Sequence, residues 1–122
     1  MAKILVVDDS GYARRLLRQT LEPLGHTLVE AGSGMAGLEA YAVHAPDVVL
    51  LDLTMEDLGG VEVLTRLREI DPGARVIVVS ADIQRSTGRQ VAEAGAFRFL
   101  AKPADPDELV EAVNAALARE GP

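Results

Sequence analysis

The chain has 122 residues, with 19 acidic and 12 basic side chains that give a formal net charge of -7 at pH 7. This length suits a single domain over residues 1–122, and the acidic balance argues against direct nucleic-acid binding, because affinity for a phosphate backbone comes from Lys and Arg. The sequence contains no cysteine, which excludes disulfides, thiolate catalysis and Cys-ligated metals, and we expect a cytoplasmic location.

Short β-branched runs alternate with stretches of helical apolar spacing, which is the pattern of an α/β domain with a parallel sheet. The predicted strands lie near 3–8, 27–30, 47–52, 75–80 and 97–101. Runs 4–7, 48–51 and 76–79 are apolar at successive positions, which is typical of central strands covered on both faces. The second and fifth strands carry Glu30 and Arg98, so we predict that they are the edges. The first apolar run is too short for a signal peptide or a membrane span, and we expect no membrane insertion.

Five helices are predicted between and after these strands. The first ends at Gly25, and Pro23 must distort its last turn. The fourth covers roughly 84–94, and the fifth begins with Asp105 as N-cap and Pro106 in its first position. The inner faces are predicted to be Ala13, Leu16, Leu17, Leu21 and Leu24 in the first helix, Met35, Leu38 and Ala42 in the second, Val63, Leu64 and Leu67 in the third (60–70), and Leu109, Val113, Ala116 and Leu117 in the fifth.

Polar side chains stand at the ends of four predicted strands. Asp8 and Asp9 close the first, Asp52 the third, Ser80 the fourth, and Lys102 follows the fifth. Ligands of open parallel sheets bind beyond the carboxyl ends of the strands, where these residues lie. Three like charges at one edge repel one another unless a cation binds them or one carboxylate shifts its pKa. The cluster is therefore a candidate site.

One known doubly wound arrangement, the flavodoxin-like fold, has the strand order 2-1-3-4-5. A (βα)5 three-layer sandwich of that order would make the first and third strands neighbours. Asp9 and Asp52 would then face each other across the crevice between those strands. The order is taken from the known fold and not from the residue pattern.

The candidate ligands are carboxylates, with neither histidine nor cysteine near them in the sequence. Such a hard, oxygen-only set favours Mg²⁺, with Mn²⁺ or Ca²⁺ as alternatives, over zinc. Mg²⁺ usually takes one or two carboxylates and accepts phosphate oxygens, so a spare carboxylate indicates phosphoryl chemistry, with Asp52 as the nucleophile. An acyl phosphate on Asp52 would gain about two negative charges, for which Lys102 and the Ser80 hydroxyl are suitable donors.

Four motifs occur in order along the chain: residues 4–10, residues 47–55 with Gly60 after them, residues 78–81, and Lys102-Pro103. With these motifs the sequence resembles, over essentially its whole length, the receiver domain of bacterial two-component response regulators, especially the single-domain, CheY-like chemotaxis type. The resemblance implies a phosphoacceptor switch that is not an enzyme with a turnover substrate. Its partners would be a sensor histidine kinase or phosphotransfer protein and an output protein.

The resemblance also implies roles for individual residues. Asp52 would accept the phosphoryl group, and Ser80 and Lys102 would bind its oxygens. Asp8, Asp9, Asp52 and the Thr54 carbonyl would hold Mg²⁺. Thr54 and Asp82 would flank the path of the hydrolytic water, and Ser80 and Phe99 would form the switch that changes a face made of the fourth helix, the fifth strand and the fifth helix. Lys102-Pro103 is expected to be a cis peptide.

The sequence departs from this family at two positions. Glu56 stands where proline is usual, followed by Asp57 and a Gly59-Gly60 pair, so we expect a looser and more acidic loop. Phe99 stands where tyrosine is most common.

Two alternative functions remain open at this point. A Mg²⁺-dependent aspartyl-phosphate hydrolase usually carries a second acid two residues after its nucleophile, where this chain has Thr54, and it needs an insertion to bind its substrate. A receiver-like module that is never phosphorylated usually lacks the acid pair, the acceptor or the lysine, and this chain keeps all of them. The cognate kinase, output partner and pathway are not predicted by the sequence.

Overall fold

The computed structural model of the chain describes residues 2–55, 57–81 and 85–118. The five strands are β1 (Lys3–Val7), β2 (Thr27–Ala31), β3 (Val48–Leu51), β4 (Val76–Ser80) and β5 (Arg98–Ala101). The helices are α1 (Gly11–Leu21), α2 (Gly34–His44), α3 (Gly60–Ile70), α4 (Arg85–Glu93) and α5 (Pro106–Ala118), with a 3-10 turn at Glu22–Leu24 between α1 and β2. Each predicted strand is present within one or two residues of its predicted bounds.

The strands form one parallel sheet in the order β2-β1-β3-β4-β5, as expected for the flavodoxin-like fold. Val7 pairs with Leu51, the last residue of β3. The residues that follow these two strands, Asp8 and Asp52, therefore begin at the same level of the sheet. The edges are β2 and β5, as predicted from their mixed composition.

Alternate residues of the central strands fill two separate cores. Ile4, Val6 and Leu50 belong to the core with α1 and α5, whereas Leu5, Val7 and Leu51 belong to the core with α2 and α3. Successive side chains of a strand point to opposite faces, so runs that are apolar at every position must be covered on both sides. The result is the predicted three-layer sandwich.

Local sequence explains where the helices begin and end. Ser10 caps α1 by accepting a hydrogen bond from the Ala13 N–H, and Asp105 caps α5 by accepting one from the Glu108 N–H at 3.1 Å. Pro23 lies in the 3-10 turn, which ends at Gly25 with φ 94°, a left-handed conformation that favours glycine. The turn that ends at Gly25 and the start of α5 at Asp105 agree with the sequence prediction.

The predicted inner face of α1 is wrong in part. Leu17 and Leu21 are buried, but Leu16 is 38% exposed and Leu24 is 52% exposed. Leu24 lies in the 3-10 turn, where three residues per turn replace 3.6 and break the helical phase of the stripe. By contrast, the predicted inner residues of α3, namely Val63, Leu64 and Leu67, are fully buried.

The predicted inner face of α2 is also wrong in part, because only Leu38 of its three residues packs against the core. Met35 is 50% exposed and Ala42 is exposed, while the buried residues of this helix are Gly34, Gly37 and Tyr41. Gly37 packs so closely on β1 that an added Cβ would lie 2.8 Å from Cγ1 of Val7. Two glycines therefore form much of the inner face of α2 beside Tyr41, and a search for large apolar side chains does not detect them.

Within the described residues, no helix is long and apolar enough to cross a lipid bilayer.

We expect substitution by alanine to have opposite effects at the two helical glycines Gly37 and Gly88. Gly37→Ala should destabilise the fold by roughly 1–3 kcal/mol, because its methyl group would overlap the Val7 side chain. Gly88→Ala on α4 meets nothing within 4 Å and should stabilise the helix by up to about 1 kcal/mol. Urea unfolding followed by circular dichroism measures both changes. Equal effects of the two substitutions would contradict the close packing of α2 on β1.

Candidate functional site

Three carboxylates meet at the carboxyl end of the sheet. Asp8, Asp9 and Asp52 each offer an oxygen, and these oxygens all lie within 4.8 Å of one another. Asp8 is 3% exposed and Asp52 is 5% exposed, whereas Asp9 is exposed. Oxygen atoms at this spacing fit a divalent cation of the Mg²⁺ class, because such ions bind clustered carboxylates and keep water in the remaining positions.

Lys102 brings a positive charge into the same cluster. Its Nζ lies 2.7 Å from Oδ2 of Asp8 and 3.8 Å from Oδ2 of Asp52. The lysine is held in place by its backbone N–H, which donates to the Ser80 carbonyl at 2.9 Å, and it precedes a cis bond to Pro103, as the resemblance implied. The ammonium group therefore compensates two buried carboxylates at once.

The pKa of Asp52 is raised above its ordinary value. Burial is the largest cause, and the neighbouring charges of Asp8 and Asp9 act in the same direction. The Lys102 ammonium and the Thr54 backbone N–H lower this pKa, but they do not outweigh the other causes. The ionised form of Asp52 is therefore disfavoured in the folded protein until further positive charge arrives.

Asp8 is fixed on both of its carboxylate oxygens. The Ser10 N–H donates to Oδ1 at 2.9 Å, and Lys102 donates to Oδ2. The N-cap of α1 is Ser10, so Asp8 does not serve as the helix cap. Both carboxylate oxygens of Asp8 therefore accept hydrogen bonds from neighbouring residues of the site.

Arg14 is a residue of this site that the sequence analysis did not single out. Its Nη1 donates to the backbone carbonyl of Asp8 at 2.5 Å, and its Nε donates to Glu30 at 2.8 Å. The arginine thus ties the backbone of the acid pair to the edge strand β2. In the sequence, an arginine in the first turn of a helix looks the same as one that is simply exposed to solvent, so no signal identifies Arg14.

The remaining predicted site residues are located as follows. Ser80 is fully buried at the end of β4, and Thr54 is exposed beyond β3, where its N–H faces Asp52. Phe99 is half-buried on β5 and pairs with Val78. Asp82 lies outside the described residues, as does Glu56. The structure therefore brings Asp8, Asp9, Asp52 and Lys102 together and places Thr54 and Ser80 beside them.

The loop after β3 is tied down at Asp57, contrary to the expectation of a looser loop. The Gly34 N–H donates to Oδ1 of Asp57 and the Met35 N–H donates to Oδ2, each at 2.9 Å. These backbone donors at the start of α2 lower the pKa of Asp57 to about 2. The sequence shows an acidic loop, but it does not show that the acid reaches another helix.

The family comparison agrees with this geometry. The family model described as "Response regulator receiver domain" matches residues 4–114. The chain belongs to the response regulator receiver domain family. This receiver domain is therefore a member of the two-component response regulators, and the family predicted from its four motifs is confirmed.

Relatives of known identity and solved structures resemble this receiver domain over nearly its whole length. It is 37% identical over 116 residues to the chemotaxis protein CheY of Bacillus subtilis, covering 94% of this chain and 97% of that one. It is 36% identical over 112 residues to sporulation initiation phosphotransferase F of the same organism, covering 92% and 90%. A receiver domain structure from Clostridium thermocellum matches with a TM-score of 0.92 at 30% identity, covering 98% and 97%.

A further solved structure is a complex. The CheX-CheY-BeF3-Mg²⁺ complex from Borrelia burgdorferi contains a chain that matches this receiver domain with a TM-score of 0.91 at 29% identity, covering 96% of this chain and 90% of that one.

The raised pKa of Asp52 predicts the effect of removing its charge. Asp52→Asn should stabilise the metal-free protein at pH 7 by on the order of 1 kcal/mol, because the ionised carboxylate is disfavoured in the folded state. When an acid has a higher pKa in the folded state than in the unfolded state, the protein loses stability as the pH rises from the unfolded to the folded pKa. The stabilisation by Asp52→Asn should therefore disappear at about pH 3, where the carboxyl group is protonated in both the folded and the unfolded state. Thermal unfolding at both pH values measures this difference.

The matched control is Asp107→Asn, an exposed acid in the first turn of α5. It should give no stabilisation, since a carboxylate near a helix N-terminus is favourable. If Asp52→Asn and Asp107→Asn behave alike, the charge cluster does not strain the fold.

Proposed function

We propose that this receiver domain accepts a phosphoryl group on Asp52 from a histidine kinase or phosphotransfer protein, in a reaction that requires Mg²⁺. The observation that carries the proposal is the convergence of three carboxylate oxygens within 4.8 Å of one another, with Lys102 Nζ 3.8 Å from Asp52. Receiver domains interact with kinases, phosphotransfer proteins and output partners, and the relatives named above include a phosphotransferase and chemotaxis proteins.

The residues that would hold the cation are Asp8, Asp9, Asp52 and the Thr54 carbonyl. Mg²⁺ is the preferred ion and Mn²⁺ would also suit these ligands. A bound divalent cation supplies charge neutralisation and a place for phosphate oxygens. The presence of Mg²⁺ in the Borrelia burgdorferi CheY complex supports this choice.

Asp52 would act as the nucleophile. A carboxylate oxygen of Asp52 forms the new O–P bond while the P–N bond to the donor histidine breaks, and the electron pair returns to the imidazole. The reaction needs Asp52 ionised, and added positive charge in the cluster favours that form. The buried position of Asp52 limits access of water to the acyl phosphate that results.

Lys102 and Ser80 would stabilise the transferred group. In the structure Lys102 is paired with Asp8 at 2.7 Å, and cation binding at Asp8 would weaken that pair and leave the ammonium for the phosphoryl oxygens. The Ser80 hydroxyl lies at the end of the neighbouring strand and would donate to another oxygen. Thr54 and Asp82 are proposed to set the lifetime of the product.

The output face would consist of α4, β5 and α5. Movement of Ser80 toward the phosphoryl group would leave space that the half-buried Phe99 fills by rotating inward. A phenylalanine needs no hydrogen-bond partner when it is buried, unlike the tyrosine that is common at this position. Arg98 on β5 forms an ion pair with Glu111 on α5, so these two elements are linked across the same face.

The chemistry of the chain would be limited to gaining and losing one phosphoryl group, so we propose a switch and not an enzyme with a turnover substrate. The aspartyl-phosphate hydrolase is not supported, because the place of its second acid is occupied by Thr54, which is exposed. The cytoplasmic location and the absence of direct nucleic-acid binding stay predictions.

The proposal predicts that incubation with acetyl phosphate adds one phosphoryl group when Mg²⁺ is present and none when it is chelated. Intact mass spectrometry measures this addition directly. Asp52→Asn should abolish it, and Asp107→Asn should leave it unchanged because that acid is exposed and distant in the chain. Stoichiometric labelling of the Asp52→Asn variant would reject Asp52 as the acceptor.

The switch predicts a local change in hydrogen exchange. Amides in residues 81–104 should exchange at different rates in the unmodified protein and in a stable acyl-phosphate mimic, because α4 and β5 are adjacent to Ser80. A change limited to α1 and α2 would place the output face elsewhere.

A further inference from the structure

The residues that follow β3, Asp52 and Leu53, lie against Gly60, the first residue of α3. The Gly60 N–H donates to the Leu53 carbonyl at 3.1 Å, and an added Cβ on Gly60 would lie 2.6 Å from the Asp52 carbonyl oxygen. Thr54 lies in the loop between β3 and α3, with its N–H facing the Asp52 carboxylate. Thr54 therefore lies three residues before Asp57, the described residue of this loop that contacts α2.

The part of the loop around Asp57 is held by α2. The two oxygens of Asp57 each accept a hydrogen bond of 2.9 Å, one from the Gly34 N–H and one from the Met35 N–H. Next to them, Leu58 packs on Gly34 so closely that an added Cβ on Gly34 would lie 2.8 Å from Cβ of Leu58. Asp57 satisfies two of the N–H groups that a helix start leaves without partners, and its negative charge suits the positive end of the helix.

The same helix also sets the other half of the cluster. One turn further along α2, Gly37 packs on Val7, the residue directly before Asp8 and Asp9. The first two turns of α2 therefore contact the last residue of β1, directly before the acid pair, and Leu58 in the loop that carries Thr54. A change in the distance between the acid pair and the Thr54 loop would misplace the ligands of a cation.

We propose that Asp57 is a positioning residue for the divalent cation site, which it shapes by fastening the Thr54 loop to the N-terminus of α2. The inference rests on the metal site of the proposed function. Asp57 would not contact the cation; it would act by holding the Thr54 carbonyl in position relative to Asp8 and Asp9. Residues that orient metal ligands typically change metal affinity about 10-fold to 100-fold when they are removed.

The test compares Asp57→Ala and Asp57→Asn with the matched control Ser33→Ala. Ser33 caps the same helix by accepting from the Ala36 N–H at 3.1 Å, and among the described residues its side chain has no hydrogen bond to the loop. Each protein is titrated with MgCl₂ while amide shifts are followed by NMR, at low salt and at about 0.5 M NaCl, where charge effects over distance are screened. Hydrogen exchange of the Gly34 and Met35 amides is measured without metal.

We expect Asp57→Ala to weaken Mg²⁺ binding about 10-fold at both salt concentrations, with faster exchange at Gly34 and Met35. Asp57→Asn keeps one acceptor oxygen and should show a smaller loss. Ser33→Ala should bind Mg²⁺ as the wild-type protein does, with faster exchange at Ala36 alone.

Three results would overturn the inference. Equal losses in Asp57→Ala and Asp57→Asn that vanish at high salt would show an effect of charge alone. A loss in Ser33→Ala as large as in Asp57→Ala would show a general effect of helix capping. Unchanged affinity in Asp57→Ala would show that the tie does not position the site. Failure of the proposed metal site is recognised separately, because the wild-type protein would then not respond to Mg²⁺, or Asp9→Ala would respond equally well.

Discussion

The structure depends on how buried negative charge is compensated at one end of a parallel sheet. Asp8 and Asp52 are removed from water beside the exposed Asp9, and Lys102 is the cation that lies against both buried acids. Burial raises the energy of a charge unless a partner of opposite sign is close. One lysine offsets part of this, as the raised pKa of Asp52 shows. The cluster is therefore compatible with a further divalent cation.

This arrangement requires that separate elements end at one level. The parallel pairing of Val7 with Leu51 sets the acid pair beside Asp52, and the pairing of Ser80 with Ala101 sets Lys102 next to Ser80. The helices then hold the residues at the strand ends in position. Arg14 of α1 holds the Asp8 carbonyl, and α2 packs on Val7 and on the loop after β3.

Much of the fold and most of the candidate site follow from local patterns in the sequence. The three central strands are visible as continuous apolar runs, and Asp52 is visible because its charge directly follows one of them. The inner face of α2 is not visible in the sequence. Gly34 and Gly37 are buried because only a residue without a side chain fits there, and a search for hydrophobic residues does not find such positions. The contact from Asp57 to Gly34 is equally hidden, since it joins residues 23 positions apart. Such contacts depend on how packed elements meet, and no local pattern encodes them.

The central claim is that Asp52 is the residue that becomes an acyl phosphate. After incubation with acetyl phosphate and Mg²⁺, borohydride reduction converts a phosphorylated aspartate to homoserine, which peptide mass spectrometry then locates. We expect homoserine at position 52 and unmodified aspartate at positions 8, 9 and 57. Homoserine at any of those three positions, with Asp52 intact, would contradict the claim.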